Sequence, residues 1–265
     1  GGRGHPPATL LGPTGRMTTR QLVFAAVFLS ALSAGTAGWL DFFTTRTDLR
    51  QMEVVDERRL LLDLEKMRLN GKTSPCLALD IDETLAWTGG YWMQQMQSLF
   101  GNPEGLSVEA MFSKYKLCQN VPYWQENPAA RQWMSDMRAC PEMQRHLPVI
   151  EDAVQCVANL EAETGIKVAA YITVRPASLA AGTAEWLRAR GFPAARVVAK
   201  PDGVPFEAGN AWKAGVLARL WPRIAAIVDD NPQVLLKGER PYPGLFFLFG
   251  HAPGGPDADA VLLQL

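Results

Sequence analysis

The chain has 265 residues, of which 48% are hydrophobic and 20% are charged, so it is long enough for one large globular domain with a smaller addition. This composition excludes a disordered chain, a collagen-like repeat and a multi-pass membrane protein. The formal net charge of −1 gives no support to a nucleic-acid polymer as partner, and 4 cysteines are too few for a disulfide scaffold.

The first segment, 1–40, differs from the rest because it contains no acidic residue. Its second half, 21–40, has no charged side chain and follows Arg16 and Arg20. A basic lead, an apolar stretch and a tail of small residues are typical of a secretory signal peptide. A membrane-spanning helix needs about 20 apolar residues, so an uncleaved anchor fits as well. We expect 1–40 to be a leader and the protein to be exported or membrane-anchored rather than cytoplasmic. An organelle transit peptide and a buried core helix are the alternatives.

The next segment, 41–73, predicts a helical arm. Residues 48–69 contain no Gly or Pro and are rich in strong helix formers. Apolar residues recur there in a loose heptad-like stripe, namely Leu49, Met52, Val55, Leu62 and Leu69. Such an arm either packs on the main domain or forms a stalk or dimer helix that tethers the domain to a membrane. The pattern leaves the oligomeric state open.

The remainder of the chain alternates between two kinds of segment. Apolar runs with the length of a buried strand lie at 76–79, 166–172, 196–199, 224–228 and 245–249. Helical patterns lie between the later runs, at 149–163, 178–190 and 210–220. This alternation predicts the α/β class, with a Rossmann-like parallel sheet of about five strands flanked by helices. A simple crossover needs only about a dozen residues. We therefore assign the core to 74–86 and 148–265, and 87–147 to an insertion.

Polar side chains stand where the predicted strands end. Asp80 and Asp82 follow the first strand, Thr173 ends the second, and Asp229 and Asp230 end the fourth. Because the carboxyl ends of parallel strands meet at one edge of a sheet, we expect these groups to converge there. Carboxylates at positions i and i+2 point the same way, repel each other and need a cation. Mg²⁺ fits an all-oxygen site, whereas zinc is disfavoured because the 3 histidines lie far from these motifs.

These residues, in this order, resemble the motifs of the haloacid dehalogenase superfamily, mostly those of its phosphatases. The matches are Asp80, Asp82 and Thr84 for the first motif, Thr173 for the second, Lys213 for the third, and Asp229 with Asp230 for the fourth. The resemblance extends from Cys76 to about Phe249, which is most of the chain after the leader. The segment 183–193 also looks like the corresponding part of acid-phosphatase members, which are often exported.

The resemblance implies a role for each matched residue. Asp80 is the expected nucleophile, which takes the phosphoryl group as an aspartyl-phosphate, and Asp82 is the expected general acid and base. Thr173 and Lys213 are expected to bind the substrate phosphate. Mg²⁺ is expected to be held by Asp80, the backbone carbonyl of Asp82, Asp229 and Asp230. The implied activity is hydrolysis of a small phosphorylated substrate. The presence of Asp82 disfavours dehalogenases and transport ATPases.

Several alternatives stay open. Lys200 also resembles a family lysine at a strand end, although Lys213 is preferred. Arg175 either reaches substrate or forms a surface salt bridge. A phosphomutase is the nearest other activity, and a non-catalytic, membrane-tethered phosphate-binding or scaffold protein is the alternative from another class. Cys118 and Cys140 either form a bridge in an oxidising compartment or stay reduced.

The insertion at 87–147 resembles the superfamily's first-type cap, a helical lid that excludes water and selects substrate. It contains nine aromatic residues, namely Trp87, Tyr91, Trp92, Phe100, Phe112, Tyr115, Tyr123, Trp124 and Trp133. Most are expected to form the core of the lid. The remainder could stack a flat leaving group, which is the single indication of a nucleotide or aryl phosphate as substrate.

Overall fold

A parallel sheet lies at the centre of the computed structural model, which describes residues 52–69, 75–238 and 242–250. Within these ranges the sheet has six strands in the order β1-β4-β3-β2-β5-β6, all parallel. The strands are β1 (Glu53–Val54), β2 (Cys76–Leu79), β3 (Lys167–Pro176), β4 (Arg196–Lys200), β5 (Ile224–Asp229) and β6 (Leu245–Leu248). The predicted α/β class with a Rossmann-like parallel sheet is confirmed. The five expected strands are present, and β1 is an additional one.

Helices account for most of the remaining described chain. One helix, α1 (Glu57–Leu69), precedes β2. Five lie between β2 and β3, namely α2 (Thr88–Phe100), α3 (Val108–Tyr115), α4 (Pro122–Gln125), α5 (Pro128–Arg138) and α6 (Pro141–Arg145). Four belong to the sheet crossovers, namely α7 (Ala153–Thr164), α8 (Ala180–Ala189), α9 (Gly209–Leu220) and α10 (Gln233–Leu236).

Both faces of the sheet are covered, which explains why its strands are continuously apolar. In β2, Leu77 and Leu79 belong to one hydrophobic cluster, which contains Trp186 and Leu187 of α8. The alternate residues of β2, Cys76 and Ala78, belong to a second cluster on the other face, with side chains from α1 and α9. Because side chains of a strand alternate between faces, a strand buried on both sides must be apolar at every position.

The centre of the sheet is the place where the chain reverses its direction of winding. Strand β2 lies between β3 and β5, and Leu79 at its end is level with Tyr171 of β3 and Val228 of β5. The residues that follow these positions therefore meet at one edge, which is where ligands bind in doubly wound sheets. Strand β3 continues to Pro176, beyond the end that the sequence predicted at Thr173, and its pairing with β4 is irregular between these two residues.

The segment before β2 differs from its prediction. Residues 53–54 are not helical; they form β1, which pairs with the start of β4 through Glu53 opposite Arg196. The heptad-like stripe is right for Met52 and Val55, which pack in the core. It is wrong for Leu62 and Leu69, which are 58% and 75% exposed, whereas Leu60 and Leu64 are buried against the sheet. A two-residue edge strand has no periodicity that a sequence can show, and the buried positions follow the spacing of a helix packed flat on a sheet.

Ion pairs hold this segment in place, and the pair of Arg196 with Asp63 is buried on both sides. Arg196 pairs with Glu53 of β1 at 2.6 Å and with Asp63 of α1 at 2.8 Å. Arg219 of α9 pairs with Glu57 at the start of α1. Residues 52–69 thus pack as part of the core, in agreement with the packed arm that the sequence offered as one of two readings.

Replacement of Leu60 by alanine is expected to destabilise the protein by about 3 kcal/mol, because a fully buried leucine loses its transfer energy and leaves a cavity. Leu62→Ala, two residues away on the same helix, is the matched control and should change stability by less than about 0.5 kcal/mol, since Leu62 is 58% exposed. Urea unfolding followed by circular dichroism measures both. Equal losses would show that α1 is not docked on the sheet.

The insertion between β2 and β3 has a hydrophobic cluster of its own, centred on Met93, Met96, Met111 and Trp124. Each of the nine aromatic residues singled out from the sequence packs in this cluster or against the sheet cluster that contains Leu77. Packing therefore accounts for them, as expected for most. Cys118 and Cys140 are both free cysteines in the structure.

The expected leader, 1–40, lies outside the described residues, as do 41–51 of the arm. Among the residues that are described, no helix combines the length and the apolar character that crossing a membrane requires.

Candidate active site

A buried lysine connects two of the predicted acids. Asp80 follows β2 and Asp229 ends β5, and both carboxylates lie against the ammonium group of Lys213, which α9 supplies. The distances from Lys213 Nζ are 2.5 Å to Asp80 Oδ1 and 2.6 Å to Asp229 Oδ2. Lys213 is 1% exposed, so this ion pairing takes place away from solvent. The backbone N–H of Asp80 donates to Val228 O at 2.9 Å and thereby fixes the register of the two strand ends.

Asp230 completes a group of carboxylates. One oxygen each from Asp80, Asp229 and Asp230 lies within 4.8 Å of the others. Three carboxylates and the ammonium group of Lys213 meet at this edge of the sheet, and carboxylates this close together favour a divalent cation between them. The donor set contains only carboxylate oxygen, which suits Mg²⁺ rather than zinc. The residues present therefore fit the ion that the sequence suggested.

The electrostatics of this group reflect its burial. Burial raises the pKa of Asp80, the attraction of Lys213 opposes that rise, and the neighbouring charges of Asp229 and Asp82 add to it. Burial and the negative charges of Asp229 and Asp80 also hold the pKa of Asp230 well above its usual range. Burial alone would lower the pKa of Lys213, but the two carboxylates beside it outweigh that effect and raise it. Lys213 is therefore a permanent cation. The cost of burial falls on Asp80 and Asp230, whose charged forms it disfavours.

Asp82 is held by a different partner, Arg175 from the extended end of β3. Arg175 Nε donates to Asp82 Oδ2 at 2.8 Å, and Nη2 donates to Oδ1 at 2.6 Å, which is the bidentate geometry favoured by guanidinium and carboxylate. Thr88, the first residue of α2, also donates to Asp82 Oδ1, at 2.5 Å. The arginine side chain is 5% exposed, so this is not the surface salt bridge considered from the sequence.

These contacts determine the charge of Asp82. Burial would raise the pKa of its carboxyl group, but the positive charge of Arg175 and the hydrogen bonds from Arg175 and Thr88 outweigh burial and lower it. Asp82 is therefore a carboxylate in the structure as it stands.

The other predicted residues take distinct positions. Thr173 is fully buried, and its hydroxyl accepts from the backbone N–H of Arg175 at 3.1 Å. Thr84 is buried in the wall of a small cavity behind the site, and its hydroxyl has no hydrogen-bond partner among the described residues. Among the described residues, Lys200 binds backbone carbonyls of its own loop, those of Val204 at 2.5 Å and Pro201 at 3.4 Å. Of the two candidate lysines, Lys213 is the one placed against the acids.

Two sets of contacts were not predicted from the sequence. One is the ion pair of Arg175 with Asp82, and the other joins the insertion to the first motif. Glu83 adopts a left-handed conformation with φ of 57°, and its Oε1 accepts from Gly89 N at 2.5 Å. Together with the Thr88 contact to Asp82, this bond joins the start of the insertion directly to the first motif. The backbone amide and the hydroxyl of a helix start are available for such contacts because they lack partners within the helix.

Replacement of Arg175 by methionine is expected to destabilise the protein by about 3 kcal/mol at neutral pH, because Asp82 loses the charge that compensates its burial. A carboxyl group whose folded pKa is lowered gives stability that is present above its unfolded value, 3.8, and is lost as the pH falls through the folded value. The difference between wild type and variant should therefore shrink below about pH 4. Urea unfolding at pH 7, 5, 4 and 3 checks this, and a difference that is constant with pH would contradict it.

No known family model matches the chain, and no curated protein matches it in sequence. The geometry of the site, together with the motifs, is therefore the basis on which function is inferred.

Proposed function

We propose that the protein is a Mg²⁺-dependent phosphomonoester hydrolase that works through an aspartyl-phosphate intermediate, as the resemblance to haloacid dehalogenase phosphatases implies. The observation that carries the proposal is the convergence of Asp80, Lys213 and Asp229, with 2.5 and 2.6 Å contacts, at the edge of the sheet where ligands bind. Phosphoryl transfer depends on positioning and charge neutralisation, and this arrangement offers a nucleophile beside a permanent cation.

The first step is attack of an Asp80 carboxylate oxygen on phosphorus. A new bond forms between that oxygen and phosphorus, the bond to the leaving-group oxygen breaks, and the leaving oxygen keeps the electron pair and takes a proton. Asp82 is the group two residues away that can supply this proton after binding one. Lys213 neutralises charge on the phosphoryl oxygens, and the Thr173 hydroxyl stands at the same strand edge to hydrogen-bond one of them.

The second step is hydrolysis of the aspartyl-phosphate. Water attacks phosphorus and gives its proton to Asp82, the acyl phosphate bond breaks, and Asp80 is released as a carboxylate with inorganic phosphate as product. The carboxylate form that this step requires is the form that Arg175 and Thr88 stabilise. Thr88 belongs to the insertion, so the insertion helps to position the base.

Mg²⁺ would be held by Asp80, Asp229 and Asp230, with the backbone carbonyl of Asp82 as a further ligand that the resemblance implies. When bound, the ion would neutralise the charge of the phosphoryl group and of these carboxylates. The proposed partner is a small phosphorylated molecule. Export or membrane anchoring is proposed from residues 1–40 alone, on their sequence.

A screen of nucleotides, sugar phosphates and aryl phosphates for release of inorganic phosphate, with Mg²⁺ and with EDTA, tests the proposal. We expect release that requires Mg²⁺ and is blocked by beryllium fluoride, which mimics the phosphoryl group on an aspartate. Transfer of phosphate to a second position of the substrate, without release into water, would identify a phosphomutase. Binding of a phosphorylated ligand without turnover across the panel would identify the non-catalytic alternative.

A further inference from the structure

The most exposed large aromatic side chain among the described residues is Phe206, in the loop between β4 and α9. It is 57% exposed, although aromatic rings of this size are usually covered. One side of the ring is occupied by a cation: Arg138 Cζ lies 5.0 Å from the ring centroid. Arg138 is the last residue of α5 in the insertion, so this contact joins the insertion to a loop of the core.

The loop that carries Phe206 is held by hydrogen bonds of its own and leads into α9, the helix that supplies Lys213. Lys200 binds Val204 O at 2.5 Å within the loop, and Asp202 accepts from the backbone N–H and hydroxyl of Ser178, both at 3.1 Å. Phe206 precedes the first turn of α9, where Asn210 Oδ1 lies 3.5 Å from Asn231 Nδ2.

That contact places the start of α9 at the metal-binding acids. Asn231 donates its backbone N–H to Asp229 Oδ1 at 2.9 Å, so the side chain that Asn210 meets is one residue beyond Asp230. One turn further along α9, Lys213 reaches Asp80 and Asp229. The loop with Phe206 therefore borders the edge of the sheet at which Asp80 stands.

The insertion thus contacts the core at two places. At one side Thr88 touches Asp82, and at the other Arg138 touches Phe206. The remaining cations of the site, Lys213 and Arg175, are buried and paired with carboxylates. Within the described part of the chain Arg138 has no carboxylate at ion-pair distance, so its guanidinium stays available next to an open ring.

We propose that Phe206 and Arg138 form the subsite for the leaving group, and that the substrates are phosphomonoesters whose leaving group contains a planar aromatic ring. This inference rests on the proposed function and names its substrate class. A flat ring can stack on the free surface of Phe206 and on the guanidinium plane, both of which favour π-systems. A small aliphatic leaving group has no flat face that could stack on the Phe206 ring or on the Arg138 guanidinium. The ring that reads the substrate therefore comes from a core loop, whereas the aromatic residues of the insertion serve packing.

Two phosphonates that cannot be hydrolysed test the subsite without requiring turnover. The affinities of phenylphosphonate and methylphosphonate are measured by calorimetry with Mg²⁺ present. We expect wild type to bind phenylphosphonate about ten-fold more tightly, since stacking on an aromatic side chain typically has that magnitude. Phe206→Ala should reduce this preference to about two-fold or less, Arg138→Gln should reduce it in part, and Phe206→Trp should preserve it.

Matched controls separate stacking from general damage. Leu62→Ala removes a side chain of equal exposure from α1, at 58% against 57%, and Arg131→Gln removes another exposed cation from α5. Both should keep the preference for the phenyl ligand. Circular dichroism confirms that each variant is folded. A preference that survives in Phe206→Ala, or equal losses of both ligands, or a wild type that binds neither ligand, would overturn the subsite.

Turnover distinguishes this inference from the proposed function. With an active enzyme, Phe206→Ala should lower kcat/KM for p-nitrophenyl phosphate about ten-fold and leave glycerol 2-phosphate unchanged within about two-fold. A protein that shows the phenyl preference without hydrolysing any phosphomonoester would retain the subsite and refute the hydrolase. If hydrolysis requires Mg²⁺ but Phe206→Ala leaves the ratio of kcat/KM for p-nitrophenyl phosphate to that for glycerol 2-phosphate unchanged, the hydrolase is retained and the subsite is refuted.

Discussion

Replacement of Asp80 by asparagine is expected to abolish release of phosphate from p-nitrophenyl phosphate in the presence of Mg²⁺. The amide cannot form the acyl phosphate, so the reaction loses its covalent step, and a loss of at least about 10³-fold in kcat is expected. The variant should remain folded, because burial already raises the pKa of Asp80 and the amide removes a charge that the interior disfavours. Lys213 keeps Asp229 as a partner in this variant. Loss of activity in a protein that remains folded would separate the chemical step from a general disruption of the fold.

A second aspartate supplies the control for this variant. Asp202 lies in the loop after β4 and accepts from Ser178 at 3.1 Å, without contact to the buried acids. Asp202→Asn is expected to keep turnover within about two-fold. Unchanged turnover in Asp80→Asn, measured beside this control with purified protein, would refute the covalent mechanism.

Replacement of Lys213 by methionine is expected to have the largest effect on stability, about 4 kcal/mol at neutral pH without metal, together with loss of activity. Removing one partner of a buried ion pair costs about 3–5 kcal/mol, because the remaining charge is left without compensation. Here Asp80 and Asp229 would both lose the ammonium group that they contact, with the carboxylate of Asp230 close beside them. Lys213 is fully buried and contacts two carboxylates, so its charge compensates both of them.

The sign of the pH effect follows from the carboxylates. Burial raises the folded pKa of Asp80 to about 7 and also raises that of Asp230, so the folded state favours their protonated forms. Stability therefore falls as the pH rises above the unfolded value of 3.8 and, for Asp80, up to its folded value. Without Lys213 this dependence becomes steeper. The deficit of Lys213→Met should therefore be largest at pH 7 to 8, shrink at pH 4 to 5, and diminish when Mg²⁺ is added.

Lys200→Met is the matched control, because Lys200 is also buried but, among the described residues, binds carbonyl oxygens. Its loss of stability should be smaller and should not depend on Mg²⁺. Urea unfolding in EDTA and in Mg²⁺, at each pH, measures both variants. If the deficit of Lys213→Met did not change with pH or with Mg²⁺, the proposed charge balance would be wrong.

The sequence was sufficient for the sheet and for the meeting of its strand ends. The four central strands are covered on both faces, and that burial is visible as a continuous hydrophobic segment followed by a polar residue. Asp80 and Asp229 could be predicted to meet because parallel strands present their ends at one edge. Lys213 could be placed beside them because it lies one helix and one strand before Asp229.

The sequence was not sufficient where contacts depend on side-chain direction across long separations. Arg175 is 93 residues from Asp82, and its bidentate contact exists because β3 continues beyond Thr173 and presents the guanidinium at the site. Strand β1 has two residues, which is too short for any periodic signal. The exposure of Phe206 depends on how the insertion and a core loop approach each other, and no local pattern encodes that distance.

The direction of β1 determines how the domain can be attached to anything that precedes it. Since β1 runs parallel to β4 and Glu53 is level with Arg196 at the start of that strand, the chain enters at the amino edge of the sheet. Asp80 stands at the carboxyl edge. A fusion partner joined directly ahead of Met52 would therefore begin at the edge of the sheet opposite to Asp80. Attachment at that point should leave the edge with Asp80 unobstructed.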